Sequence, residues 1–168
     1  MIYIDNAATR LGNYGSFNAN SSYATAEKIN LQKARLSIAN VINCNEDEIY
    51  FTSGGCESNS WALQRISKSI IKNHIITTKI EHSSTMNCCK WLESNGYEVT
   101  YLDVDEHGYI DLHQLEKSIR GNTFLISVMH VNNEIGTIQN IRRIGEIAHA
   151  YGIYFHTDAV QSMGKIDI

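Results

Sequence analysis

Short β-rich runs alternate with stretches whose apolar residues fall on one helical face, and this alternation constrains the fold more than any other feature of the chain. The runs Ile49-Tyr50-Phe51-Thr52, His74–Thr78, Glu98–Leu102, Thr123–Val128 and Ile153–Phe155 read as strands. Between them, helical spacing predicts helices over Ala24–Ile42, Glu57–Lys72, Ser84–Ser94, Leu112–Ile119 and Ile141–Ala150. Ile29, Ala34, Ile38 and Ile42 show the spacing in the first, and Trp61, Leu63, Ile66 and Ile70 in the second. Strands separated by helices imply an α/β fold with a mostly parallel sheet flanked by helices. The order of the strands does not follow from the pattern. Residues 1–23 start with apolar Ile2-Tyr3-Ile4 and turn polar and rich in Gly, Asn and Ser, which reads as an arm or loop. Residues 24–168 then form one α/β unit.

Composition removes several classes of function. At 168 residues, with 43% hydrophobic and 19% charged, the chain can bury a real core as one domain or part of one. Every apolar run falls far short of the ~18 residues a membrane helix needs. The net charge of -4, with Lys and Arg scattered, gives no footprint for nucleic acid. The N-terminus lacks the basic and long apolar segments of an export signal. Cys44, Cys56, Cys88 and Cys89 include an adjacent pair and no CxxC spacing, so neither a disulfide framework nor a zinc site is expected. A reducing cytoplasm is the expected location.

Ligands in open α/β sheets bind beyond the carboxyl ends of the strands, and polar clusters stand at several such places. Thr52-Ser53-Gly54-Gly55-Cys56-Glu57-Ser58-Asn59 joins a strand to a helix. Its glycines and free N–H groups suit an anion such as phosphate, though an ordinary capped turn has the same look. Lys79-Ile80-Glu81-His82-Ser83-Ser84 offers His82 as a general base or a ring that stacks on a planar cofactor, or merely as a helix cap. His130-Val131-Asn132-Asn133-Glu134 could bind a ligand or only organise a tight turn. In His156-Thr157-Asp158-Ala159-Val160-Gln161 an apolar strand delivers a carboxylate that is costly to bury unpaired. A protonated cofactor ring nitrogen would pair with it. His156 and Asp158 with His82 or His130 could instead hold a metal, although no HExxH spacing supports that reading.

Taken together these segments resemble the cysteine desulfurases of the class V, fold-type I, pyridoxal-phosphate enzymes. The matching stretches are Tyr3-Ile4-Asp5-Asn6-Ala7-Ala8-Thr9, Phe51-Thr52-Ser53-Gly54 with Glu57-Ser58-Asn59, and Glu81-His82. Met129-His130-Val131-Asn132-Asn133-Glu134-Ile135-Gly136 and His156-Thr157-Asp158-Ala159-Val160-Gln161-Ser162 continue the match, followed by Gly164-Lys165. The resemblance implies pyridoxal 5'-phosphate (PLP) as cofactor and L-cysteine as substrate. Sulfur would leave as a persulfide on an enzyme cysteine, yielding L-alanine, and pass to iron–sulfur cluster or thionucleoside assembly. It also implies a homodimer and a sulfur-acceptor scaffold protein as partners. By position, Gly55 and Cys56 correspond to the pair at the cofactor phosphate, and His82 to the stacking, acid–base histidine. Asn133 and Gln161 correspond to residues near the phenolic oxygen, and Asp158 to the partner of the pyridine nitrogen.

The departures are specific. Members are much longer, and their cofactor-bearing lysine, in a Ser/His/Lys segment, has no counterpart here; Lys165 is a different feature. The sulfur-accepting loop cysteine, the rest of the large domain and the small domain are likewise absent. Cys56 stands where the family commonly has Thr, exchanging a hydroxyl donor for a weak thiol. The expectation is therefore a truncated desulfurase-like chain, inactive alone, with an unpaired sheet edge that promotes association. A non-catalytic remnant or assembly module, a selenocysteine lyase and a transaminase remain open readings of the same residues.

Overall fold

The computed structural model describes residues 2–3, 22–68 and 71–166. Strands β1 (Ile2–Tyr3) and β2 (Ile49–Tyr50) form a short parallel pair, with Ile2 opposite Ile49 and Tyr3 opposite Tyr50. Helix α1 (Ser22–Ile42) precedes β2 through a 3-10 turn at Glu46–Glu48. The expected arm otherwise lies outside the described residues, and α1 takes in the last two positions assigned to it. Helix α2 (Gly55–Lys68) leads to β3 (His74–Thr78), α3 (Ser83–Ser94) and β4 (Glu98–Leu102). Helix α4 (Leu112–Ser118), β5 (Thr123–Ser127), α5 (Ile141–Ala150) and β6 (Tyr154–His156) complete the order.

The main sheet has four strands in the order β4-β3-β5-β6, all parallel. Its two faces bury different sets of residues. Ile75 and Leu125 pack with Ala62 and Leu63 of α2 and with Cys88, Cys89 and Leu92 of α3. Ile76 and Ile126, one residue on, meet Leu115 of α4 and Ile144, Ile147 and Ala148 of α5. Alternation along a strand thus puts one helical pair on each face, giving three layers. β3 and β5 are buried at every position, as central parallel strands must be. A polar rung crosses them: buried His74 bonds Thr123 Oγ1 at 2.7 Å and Thr100 Oγ1 at 2.9 Å, linking β5, β3 and β4.

Several boundaries differ from the sequence reading for identifiable reasons. α2 begins two residues earlier than expected and ends at Lys68, not Lys72. The chain must already have turned by Asn73, whose carbonyl accepts from Glu98 N at 2.8 Å; Ile70 itself lies outside the described residues. β2 stops at Tyr50, while Thr52, read as its last residue, turns its hydroxyl to Gly54 O and Ser58 Oγ. β6 starts at Tyr154 rather than Ile153, because Ile153 N donates to Ala148 O and closes the end of α5. Among the described residues β6 is paired on one side only, and its Tyr154 is 59% exposed.

Candidate active site

From β3 the chain passes to β4 on one side, then returns to β5 on the other side of β3. The loops after β3 and β5 therefore diverge and open a crevice at the carboxyl ends of the strands, the place where α/β sheets bind ligands. A cavity of about 290 Å³ lies there. Gly55, Cys56, His82, Asn133, Asp158 and Gln161 all line it, so the site residues read from sequence converge from four separate segments. Asn59, Ser84, Met129 and Val160 complete its wall. A second hollow of about 390 Å³ adjoins it, sharing His82 and Asn133 and including Lys79, Glu81 and Glu134.

The turn before α2 is held by its own side chains. Glu57 reaches back to accept from Ser53 N at 2.7 Å and Ser53 Oγ at 2.6 Å, bonds that lower its carboxyl pKa. The turn is a capped helix start and a cavity wall at once. Gly55 and Cys56 occupy the first turn, where helical N–H groups lack intrahelical acceptors and favour an anion. Asn59 sits one turn further along the same face.

Behind β3 and β5 stands Glu81, only 8% exposed. Its Oε1 accepts from Thr78 Oγ1 at 2.7 Å and from Met129 N at 3.0 Å, clamping the ends of the two strands together. Oε2 has no hydrogen-bond partner. Burial, against the pull of those two donors, pushes the carboxyl up to about 7. Nearby, Asn132 shapes the loop that carries Asn133. Its Oδ1 accepts from Glu134 N and Ile135 N, and its Nδ2 donates to Ile80 O at 2.8 Å. The HVNNE cluster thus divides its work: Asn132 builds the turn and Asn133 faces the cavity. Gly108 braces this loop from outside at φ +84°; a Cβ there would lie 2.5 Å from Ile135 Cδ1 and 2.8 Å from Thr137 Oγ1.

Asp158 is 7% exposed, and its backbone carbonyl takes His130 N at 3.0 Å. Its Oδ1 accepts from Val160 N at 3.0 Å and its Oδ2 from Asn59 Nδ2 at 2.8 Å. None of the ion pairs among the described residues involves it. A buried carboxylate with only neutral donors, set in a cavity wall, retains a strong preference for a cationic neighbour. His156 points elsewhere: its Nδ1 meets Ser127 Oγ at 2.8 Å, and burial drives its pKa down to about 4. His130 is also buried, which lowers its pKa. Among the described residues no cluster of three His, Cys, Asp or Glu could hold a metal.

His82 caps α3, and its Nδ1 accepts from Ser84 N at 3.2 Å. Ser84 Oγ lies 2.8 Å from the same nitrogen and accepts from Asn59 Nδ2 at 2.9 Å. Sequence reasoning named Asn59 and Ser84 only as parts of motifs. The signal that could have found them is spacing: Asn59 is i+4 from Gly55, and Ser84 is two residues past His82.

These walls, set at one end of a parallel α/β layer, suit a flat molecule with an anionic end and a basic ring nitrogen. The chain belongs to the class-V aminotransferase family, whose profile matches residues 3–168. It is 43% identical over 183 aligned residues to the cysteine desulfurase IscS of Methanosarcina thermophila, covering 99% of this chain and 45% of that relative. A solved structure described as SspA in complex with cysteine matches with a TM-score of 0.86 and 42% identity, over 92% of this chain and 45% of that one. A NifS-like protein matches with a TM-score of 0.87 and 34% identity, over 99% of this chain and 51% of that one. The chain thus spans about half the length of the relatives it matches.

Class-V family members and cysteine desulfurases depend on PLP. The residues present fit that group. Asp158 is a buried carboxylate in want of a cation, the α2 N-terminus is an anion seat, and a ring-shaped side chain, His82, lines the space between. Cys56 is the weakest member, since a thiol donates poorly to phosphate.

Proposed function

We propose that this chain supplies the ring- and phosphate-binding half of a PLP-dependent cysteine desulfurase, which converts L-cysteine to L-alanine and leaves sulfur as a persulfide on an enzyme cysteine. The observation that carries the reading is Asp158, buried without a basic partner in a cavity lined by the matching residues. PLP bound there supplies an electron sink for the carbon beside the substrate carboxylate. Asp158 keeps a ring nitrogen protonated, which such a sink requires. Gly55 and Cys56, with the first N–H groups of α2, seat the phosphate. Asn133 and Gln161 orient the phenolic oxygen, and His82 packs against the ring and moves protons. The lysine and sulfur-carrying cysteine of the mechanism belong, by the family resemblance, to sequence outside these 168 residues.

Further parts of the reading rest on resemblance and, for the location, on the cysteine pattern. They are a cytoplasmic homodimer, a scaffold protein as sulfur acceptor, and delivery of sulfur to iron–sulfur cluster or thionucleoside assembly. The test is to incubate the complete protein with PLP, L-cysteine and a reductant, and to quantify alanine and sulfide together. Equal release of both supports the proposal. A keto acid in place of alanine would mark a transaminase, strong preference for selenocysteine a lyase, and failure to retain PLP a non-catalytic module.

A further inference from the structure

His82 is joined to Asp158 through two side chains whose hydrogens can be assigned by elimination. Asp158 Oδ2 can only accept as a carboxylate, so the Asn59 atom 2.8 Å away is a donor, its amide nitrogen. That nitrogen has a second hydrogen, and it meets Ser84 Oγ at 2.9 Å. With a lone pair of Ser84 Oγ thus engaged, the hydroxyl hydrogen is free to turn to His82 Nδ1, 2.8 Å away. The backbone N–H of Ser84, which can only donate, points at the same Nδ1 from 3.2 Å. Two donors on Nδ1 leave it no room for a proton of its own, and the neutral ring must carry its hydrogen on Nε2.

We propose that Asn59 and Ser84 are positioning residues that fix His82 in the Nε2–H tautomer, so that the ring meets the reaction as a proton donor at Nε2. The inference rests on the assignment of His82 to proton transfer made above. It adds a direction to that role. A ring with its lone pair committed to Ser84 gives a proton from Nε2 first and accepts one there only afterwards. The same two bonds also stop the ring from rotating about χ2, since a flipped imidazole would set a C–H against both donors. Asn59 belongs to α2, Ser84 to α3 and Asp158 to the loop after β6, so the arrangement ties the ring to the carboxylate across three segments.

The test reads the tautomer directly. Long-range 15N–1H correlation spectra of cofactor-free protein distinguish Nδ1–H from Nε2–H imidazoles, and loss of a signal in His82→Gln assigns it. The wild-type protein should show His82 solely as the Nε2–H form. Ser84→Ala removes one donor and leaves the backbone one, so the tautomer ratio should move about five- to tenfold toward Nδ1–H. Ser84→Thr, which keeps the hydroxyl, should restore the wild-type spectrum, and Asn59→Leu should shift the ratio in the same direction as Ser84→Ala. In the complete, PLP-loaded protein Ser84→Ala should lower kcat with KM little changed. A wild-type His82 carrying its proton on Nδ1 would overturn the inference, as would a ratio indifferent to Ser84→Ala and Asn59→Leu. A protein inert toward cysteine would sink the desulfurase reading while the spectra still decide this one.

Discussion

Replacing Glu81 by Gln should change how stability depends on pH, by an amount the structure fixes. Burial raises the Glu81 carboxyl from an ordinary 4.5 to about 7. Between those values the native protein holds a proton that the unfolded chain has released, so stability falls as pH rises through the window. The full loss, from below 4.5 to above 7, is roughly 3 kcal/mol. His156 acts oppositely. Its pKa falls from 6.5 to about 4, so its contribution is complete above 6.5 and fades as pH drops toward 4, again by roughly 3 kcal/mol. The two nearly cancel over most of their shared range, and the wild-type profile alone is uninformative. The difference between variant and wild type isolates Glu81. The Gln side chain keeps an oxygen for Thr78 Oγ1 and Met129 N, while its amide does not titrate at any of these pH values, so any unmet amide hydrogen adds only a constant offset. Urea unfolding of both proteins at pH 5 and pH 8.5 supplies the numbers. Relative to wild type, Glu81→Gln should gain about 2–3 kcal/mol of stability between the lower and the higher pH. An equal difference at both pH values would refute the argument that burial holds a proton on Glu81.

Other substitutions probe other parts of the site. Asp158→Asn removes a carboxylate whose intended neighbour is a cation and should weaken PLP retention at least tenfold, as followed by absorbance after dialysis, with retention equal to wild type as the adverse result. Cys56→Thr restores a hydroxyl donor at the α2 N-terminus and should tighten PLP binding by about two- to tenfold in a spectrophotometric titration, with unchanged affinity as the adverse result. Gly108→Ala forces a Cβ into Ile135 and Thr137 at a positive φ; a loss of about 1–3 kcal/mol in denaturant unfolding is expected, and a neutral effect would show the loop to be pliable. Ser127→Ala strips buried His156 Nδ1 of its partner and should cost about 1–3 kcal/mol by the same measurement.

Much of this architecture is legible in the residues, and the parts that are not share a cause. His74–Thr78, Glu98–Leu102 and Ile141–Ala150 have the limits their patterns predict, because period-2 or helical spacing and flanking turn residues agree there. The 3-10 turn at Glu46–Glu48 was missed, although Asn45 and Glu48 form a capping box that spacing could have revealed. Strand order stayed hidden because each strand's pattern reports burial, not partners: β3 and β5 are neighbours only through long-range pairing. The cavity-facing residues were found where a motif marked them. Asn59 and Ser84 escaped because their importance lies in which atoms they join, and Asn59 meets Asp158 from 99 positions away.

That last separation has a kinetic meaning. The cavity takes its walls from α2, the loop after β3, the loop after β5 and the loop after β6. Among the described residues β6 pairs with β5 alone, so Asp158 takes its place in the cavity wall only once β6 has docked beside β5. Contacts of such high sequence separation close late, since the loop entropy must be met before they stabilise anything. A piece of this chain that stops before β6 therefore lacks Asp158 and the cavity wall it forms. Ligand capture during refolding would then time the docking of β6, while helix signals would report the earlier steps.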